Sequence, residues 1–152
     1  ETARSGKIIP LFLDELNKLD FYRQPAPKSL GREWVEKKIY PLIENSVLPV
    51  EDILRTYYEH ISFQISRIIG EKASADILVT GGGAHNTYLL ELIQKKISGK
   101  ITIPDDKIID YKEALIFGFL GVLRHRNEVN CLSSVTGARS DSSGGIIYNY
   151  HI

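Results

Sequence analysis

A short apolar segment that leads directly into three consecutive glycines constrains the fold of this chain more than any other feature. Residues 77–80 are Ile-Leu-Val-Thr, and residues 81–83 are all glycine. Such a segment, ended by a tight turn, is typical of a buried strand. A helix is predicted over residues 86–97, with Asn86 at its N-cap, because an asparagine side chain there accepts a hydrogen bond from the first turn.

A second strand and a second helix follow in the sequence. Ile-Thr-Ile at residues 101–103 predicts a short strand that Pro104 ends, and residues 111–124 carry apolar side chains at helical spacing. Alternating strands and helices favour an α/β layer whose strands pair in parallel. Two strands do not make a stable sheet alone, so we expect further strands upstream. The absence of methionine and the start at Glu1 also suggest a piece of a longer protein.

Residues 1–70 are predicted to be mainly helical. Apolar residues at spacings of three and four predict helices over residues 7–20, 31–44 and 50–69. We expect Pro41 to end or kink the second of these helices, and Gly70 to end the third. Between the first two helices, residues 21–31 contain two prolines and are predicted to form an extended loop.

The whole chain, residues 1–152, is interpreted as one lobe with three parts. The helical part is followed by a strand-helix-strand-helix core over residues 77–125 and by a tail over residues 131–152. Eight of the 13 residues from 133 to 145 are serine or glycine. A segment of this composition is mobile unless a ligand or partner orders it.

The composition argues against several classes of protein. Nineteen Lys and Arg residues balance nineteen Asp and Glu residues, which disfavours nucleic-acid binding and membrane binding through bulk charge. The single cysteine, Cys131, rules out a fold built on internal disulfides. No metal site is predicted, because metal-ligand spacing is absent among the four histidines. These are His60, His85, His125 and His151.

The three glycines have two interpretations. They form either a tight turn before a capped helix, or a turn whose missing side chains let a flat or anionic ligand approach the backbone. The start of the following helix would favour a phosphate group nearby. The spacing of neither a Rossmann fingerprint nor a P-loop is present. The functional alternative is therefore a nucleotide site of another kind at Gly81, Gly82 and Gly83, with His85 as a further contact.

Residues 110–113, Asp-Tyr-Lys-Glu, also have two interpretations. Asp110 at an N-cap, with Glu113 three positions later, would form a capping box. Alternatively, Glu113 projects from the first helical turn at the carboxyl ends of the strands, where open α/β sheets bind ligands. A carboxylate there can accept hydrogen bonds from sugar hydroxyl groups or orient a water molecule.

Four segments together resemble the anhydro-N-acetylmuramic acid kinases, in which they occur in the same order. They are Pro-Ala-Pro-Lys-Ser-Leu-Gly-Arg-Glu-Trp at 25–34, Val-Thr-Gly-Gly-Gly-Ala-His-Asn at 79–86, Asp-Tyr-Lys-Glu-Ala at 110–114 and Ser-Val-Thr-Gly-Ala at 134–138. The resemblance covers most of the chain but only the C-terminal part of such an enzyme. Many sugar kinases share the turn formed by Gly81, Gly82 and Gly83, called here the glycine turn, whereas the first and last segments are more specific.

The resemblance implies an α/β fold: the C-terminal portion of a ribonuclease H-like lobe, with helices and a short parallel strand pair, from the actin-like ATPase superfamily. Two such lobes close on ATP. Enzymes of this family use ATP and Mg²⁺ to phosphorylate O6 of anhydro-N-acetylmuramic acid while water cleaves its 1,6-anhydro bond. The product, N-acetylmuramic acid 6-phosphate, enters cell-wall recycling in the bacterial cytoplasm.

The resemblance also implies roles for individual residues. Glu113 corresponds to a carboxylate at the sugar. The phosphate-binding hairpin and the aspartate general base belong to the upstream part of such an enzyme, so we expect no catalytic residue here and no activity from this chain alone. The residues expected at the nucleotide, with the neighbouring histidine included, are Gly81, Gly82, Gly83, His85 and Asn86.

Two alternatives to this enzyme stay open from the sequence. One is another sugar kinase of the same superfamily, because the glycine turn fits it equally well. The other is a non-catalytic nucleotide-binding module that keeps the shape of the lobe. The expected partners are ATP, a small sugar and the remainder of the same polypeptide, without nucleic acid or membrane, and a homodimer is one of the oligomeric states left open.

Overall fold

The computed structural model describes residues 1–25, 28–70 and 76–148. The chain divides into two compact units. The first unit contains Glu1–Val79 and Gly83–Ile103, and the second contains Thr80–Gly82 and Pro104–Ile152. The chain therefore passes from one unit to the other and back within the glycine turn.

Helices dominate both units, together with one short pair of strands. The α-helices are α1 (Thr2–Ser5), α2 (Pro10–Asn17), α3 (Arg32–Lys38), α4 (Tyr40–Glu44), α5 (Val50–Ile69), α6 (Thr87–Gln94), α7 (Asp106–His125) and α8 (Ser133–Thr136). The strands are β1 (Ile77–Leu78) and β2 (Ile101–Thr102), and 3-10 helices cover Asp20–Arg23 and Gly82–His85. No helix in the described part of the chain is long and apolar enough to cross a membrane.

The predicted helix over residues 50–69 is confirmed at both ends by α5. It ends at Gly70, whose φ of +74° favours glycine over residues with a side chain. The predicted break of residues 31–44 is also confirmed, because α3 ends at Lys38 and a new helix, α4, begins with Pro41 in its first turn. Proline is tolerated there because the first helical amides need no partner within the helix.

Two predictions for the N-terminal part are wrong in detail. The predicted helix over residues 7–20 is shorter, since α2 begins at Pro10 and ends at Asn17. Residues 21–23 belong to a 3-10 helix and not to an extended loop. Residues 26 and 27 of that predicted loop lie outside the described residues. A core cluster of the first unit consists of Phe12, Leu16, Ile39 and Ile53.

The parallel strand pair is confirmed, although both strands are shorter than predicted. Ile77 is paired with Ile101 and Leu78 with Thr102. The ladder continues past β1, where Val79 N donates to Thr102 O at 3.0 Å. The helix after the glycine turn is also shorter than the predicted 86–97, because α6 covers only Thr87–Gln94.

The second unit contains the largest difference from the predicted helices. Helix α7 begins at Asp106, five residues before the predicted start at residue 111. Asp105 is its N-cap, and its Oδ1 accepts a hydrogen bond from Ile108 N at 2.9 Å. The early start matters because it changes the position of every later residue within the helix.

The serine- and glycine-rich segment forms a defined loop. Cys131 and Ser142 form an antiparallel bridge, and Asn130 Oδ1 accepts a hydrogen bond from Gly144 N at 2.7 Å. Asp141 Oδ1 accepts from both the backbone N (2.7 Å) and the hydroxyl (2.6 Å) of Ser133, at the start of α8. Contacts within the chain thus hold residues 133–145, contrary to the prediction that a ligand or partner must order them.

Candidate functional site

The glycine turn has an open surface. At Gly81, φ is +79°, so glycine is favoured there by backbone conformation alone. Gly82 and Gly83 have no positive φ, and a Cβ atom at either position would meet nothing within 4 Å. Nothing within the described chain therefore requires glycine at these two positions. The space beside them is available for a ligand to approach the backbone.

Asn86 has the predicted structural role. Its Oδ1 accepts a hydrogen bond from Leu89 N at 3.2 Å, which confirms it as the N-cap of α6. Its Nδ2 donates to the hydroxyl of Tyr58 at 2.9 Å. Both polar atoms of the side chain are thus engaged within the first unit, where they fix the end of the glycine turn against α5.

His85 is the exposed last residue of the 3-10 helix that the turn begins. It lines a cavity of about 440 Å³ in the first unit, together with Asn86, Tyr58 and Arg4. The wall of this cavity is held by contacts within the unit, because the guanidinium of Arg4 lies 4.3 Å from the ring centre of Tyr88. His85 is therefore exposed both beside the glycine turn and at this cavity, where a ligand can contact it.

The structure corrects the position of Glu113. Because α7 begins at Asp106, Glu113 is the eighth residue of the helix and not part of its first turn. The predicted capping box of Asp110 and Glu113 is therefore wrong, and the cap is Asp105. The sequence did carry a signal for this cap, since Asp105 follows a proline and precedes an apolar residue by three positions. Glu113 itself is exposed, so its carboxylate is accessible for contacts outside the chain.

Lys112 is a polar contact of the glycine turn that the sequence did not reveal. Its Nζ donates a hydrogen bond to the hydroxyl of Thr80 at 2.6 Å. Thr80 directly precedes Gly81, and all three residues belong to the second unit. The contact fixes the second turn of α7 beside the start of the glycine turn.

The most strongly perturbed ionisable group lies in the core of the first unit. Burial lowers the pKa of His60 to about 4 and raises the pKa of Tyr22 to about 12. His60 Nε2 lies 3.0 Å from the hydroxyl of Tyr22. Both groups are uncharged at neutral pH, and the hydrogen bond links the buried imidazole to the partly buried Tyr22.

In residues 1–25, 28–70 and 76–148, no three His, Cys, Asp or Glu side chains are grouped as a metal site would require. His151, one of the four histidines considered above, lies outside them.

Comparison with known proteins identifies the family. The family model for anhydro-N-acetylmuramic acid kinase matches residues 1–150. The chain belongs to this family. The match includes the glycine turn, both residues of the Thr80–Lys112 contact and Glu113.

Individual kinases of the family agree with this assignment. The chain is 35% identical to the anhydro-N-acetylmuramic acid kinase of Actinobacillus pleuropneumoniae serotype 7, with 97% of this chain and 42% of that protein covered. It is 34% identical to the enzyme of the same name from Sulfurovum sp., again with 97% and 42% covered. For the kinase of Saccharophagus degradans, the identity is 34% and the covered shares are 96% and 41%. The chain thus spans about two fifths of the length of these relatives.

Proposed function

We propose that the protein to which this chain belongs is an ATP-dependent anhydro-N-acetylmuramic acid kinase. Water adds across the 1,6-anhydro bond of the sugar, the released O6 accepts the γ-phosphoryl group, and ADP leaves. The products are N-acetylmuramic acid 6-phosphate and ADP. The family match over residues 1–150 supports this proposal, as do the relatives that carry the name of the enzyme.

The open surface of the glycine turn is the structural observation that carries the nucleotide part of the proposal. Gly82 and Gly83 lack any neighbour that a side chain would strike, and neither has a strained backbone. Glycines that the chain itself does not need are expected where a ligand must reach the backbone. We assign ATP to this surface, with Gly81, Gly82 and Gly83 against the nucleotide and His85 at its edge.

Asn86 contributes to this site in a different way from the glycines. Its side chain is already engaged with α6 and Tyr58, so it positions the turn from behind. A ligand that needs the amide of Asn86 would have to displace the bond to Tyr58. We therefore assign Asn86 a positioning role at the nucleotide site.

Glu113 is assigned to the sugar. An exposed carboxylate on α7, with no capping role, is free to accept hydrogen bonds from sugar hydroxyl groups. The aspartate general base and the hairpin that holds the phosphates are assigned to residues outside this chain. Mg²⁺ is proposed to accompany ATP, where it would neutralise charge on the transferring phosphoryl group.

The wider setting follows from the same assignment. The fold is proposed to be part of a ribonuclease H-like lobe of the actin-like superfamily, whose remaining strands extend the β1–β2 pair. The partners are ATP, the anhydro sugar and the remainder of the same polypeptide, and a homodimer stays one of the assemblies left open. Cell-wall recycling in the cytoplasm is the proposed process.

A labelling experiment tests the proposed reaction. The intact protein is incubated with ATP, Mg²⁺ and anhydro-N-acetylmuramic acid in ¹⁸O-labelled water, and the sugar product is analysed by mass spectrometry. We expect one phosphoryl group and one ¹⁸O atom in the same product molecule. N-acetylglucosamine, which has no anhydro bond, serves as the control and should not react. Phosphorylation of the control alone would assign the protein to another class of sugar kinase, and absence of phosphoryl transfer to either sugar would contradict the proposal.

A further inference from the structure

Lys112, like Arg124, is a partly buried cation whose hydrogen-bond partners are neutral oxygen atoms and not carboxylates. In the first unit, Arg55 Nη1 lies 3.0 Å from a carboxylate oxygen of Glu59, and Lys96 contacts the other oxygen of the same carboxylate. Lys112 is also partly buried, but its contact is the neutral hydroxyl of Thr80. Within the described residues, none of the ion pairs includes Lys112.

A partly buried ammonium group without a carboxylate partner keeps a positive charge that a bound anion can neutralise. Removal of a charge from water costs free energy that a neutral hydroxyl only partly recovers. An ammonium group also has three donors, and the bond to Thr80 uses one of them. Two donors and the full positive charge of Lys112 therefore remain for a further partner.

The position of Lys112 indicates what that partner is. Thr80 immediately precedes Gly81 and Gly82, where the backbone is open to a ligand. The bond at 2.6 Å therefore places the ammonium group at the entrance of the glycine turn. Lysine binds phosphate as a point charge and does not need the planar geometry that arginine imposes.

We propose that Lys112 binds a phosphate group of the nucleotide at the glycine turn and that the hydroxyl of Thr80 positions its ammonium group for this contact. The inference rests on the proposed nucleotide site and extends it. It assigns to Lys112 the recognition of the phosphates, whereas the base and the ribose are left to other residues. A purely structural tether between Thr80 and α7 is the competing explanation. The two explanations differ in which ligands a substitution affects.

The experiment measures binding of ATP, ADP and adenosine to the intact protein by isothermal titration calorimetry, with three variants beside the unsubstituted protein. Lys112→Ala removes the charge, Lys112→Arg keeps it, and Lys107→Ala removes an exposed lysine of the first turn of α7 as the matched control. Thermal unfolding of each variant shows whether the helix and the turn stay folded.

We expect Lys112→Ala to weaken ATP and ADP binding about tenfold, the size of one lost charge-assisted hydrogen bond, and to leave adenosine binding unchanged. Lys112→Arg should retain most of the affinity for ATP, and Lys107→Ala all of it. Unchanged ATP binding by Lys112→Ala would overturn the inference and leave the proposed nucleotide site standing. An equal loss for adenosine and ATP would assign Lys112 the structural role instead. If the unsubstituted protein binds none of the three ligands, both the inference and the proposed site are wrong.

Discussion

His60 Nδ1 lies 2.7 Å from Asn17 Oδ1, and this contact determines which ring nitrogen of a buried histidine carries the hydrogen. The same oxygen accepts a hydrogen bond from Gln64 Nε2 at 2.8 Å, so it is the acceptor and His60 Nδ1 carries the hydrogen. The hydroxyl of Tyr22 then donates to Nε2. Both nitrogen atoms of the imidazole ring are satisfied in the neutral form, and burial disfavours the charged form that a second ring proton would create.

The first prediction is a loss of stability at mildly acidic pH. The folded-state pKa of His60 is about 4, below its ordinary value of 6.5, so the unfolded chain binds the proton first as the pH falls. The contribution of neutral His60 to the free energy of unfolding is therefore complete above pH 6.5. It decreases between pH 6.5 and 4 and does not change further below that range. Its full size is about 3 kcal/mol. Urea unfolding across this range should show a flatter pH dependence for His60→Gln, and an equally steep dependence in that variant would contradict the prediction.

The second prediction concerns the close contact of Gly6 with α5. A Cβ atom at Gly6 would lie 2.0 Å from the backbone oxygen of Glu51, and the neighbouring Lys7 N donates to Asp52 Oδ1 at 2.7 Å. Gly6→Ala must push these segments apart, so we expect it to lower the free energy of unfolding by about 1–3 kcal/mol. Gly82→Ala is the matched control, because its Cβ meets nothing. Equal stability of the two variants in urea would show that the contact is not tight.

Local patterns predicted those elements whose causes lie within a few residues. The apolar residues at helical spacing and Gly70 predicted both ends of α5, and Asn86 predicted the N-cap of α6. The start of α7 was missed because Asp110 and Glu113 match a capping box as well as Asp105 matches a single cap. Sequence spacing alone does not decide which of the two residues caps the helix, because the start of α7 also depends on how the helix packs in the folded chain.

The contacts of the candidate site were less predictable than its glycines. Three glycines in a row are visible in any sequence, but the Lys112–Thr80 bond joins residues 32 positions apart. No local pattern indicates which lysine of α7 reaches the turn. The order in residues 133–145 was missed for the same reason, because it depends on the pairing of Asn130 with Gly144 and composition alone does not reveal such a pair.

The third prediction separates the cap of α7 from the carboxylate assigned to the sugar. Asp105→Ala should lower the free energy of unfolding by about 0.5–2 kcal/mol, because it removes the N-cap. Glu113→Gln should leave stability unchanged and reduce turnover by the intact protein, to about one hundredth if the carboxylate orients the sugar. Urea unfolding and steady-state kinetics measure the two effects. A stable, fully active Glu113→Gln variant would remove Glu113 from the site.

The fourth prediction concerns the exposed apolar residues of α7. Phe117 is 71% exposed. Other large apolar residues exposed on α7 are Ile108, Tyr111, Leu115, Ile116, Phe119 and Val122. Exposed apolar surface of this kind favours association, so we expect the purified 152-residue chain to self-associate at micromolar concentration. Sedimentation of a well-behaved monomer with sharp thermal unfolding would contradict this expectation.

The central claim is that ATP lies against the glycine turn, and a graded pair of substitutions tests it most directly. Gly82→Ala and Gly82→Val in the intact protein add one and then three carbon atoms to a position where the chain itself has room. Both variants should unfold like the unsubstituted protein and keep its Michaelis constant for the sugar. The measurement is the Michaelis constant for ATP. We predict that it rises with the size of the side chain, at least severalfold for valine, and an unchanged constant in the folded valine variant would contradict the account.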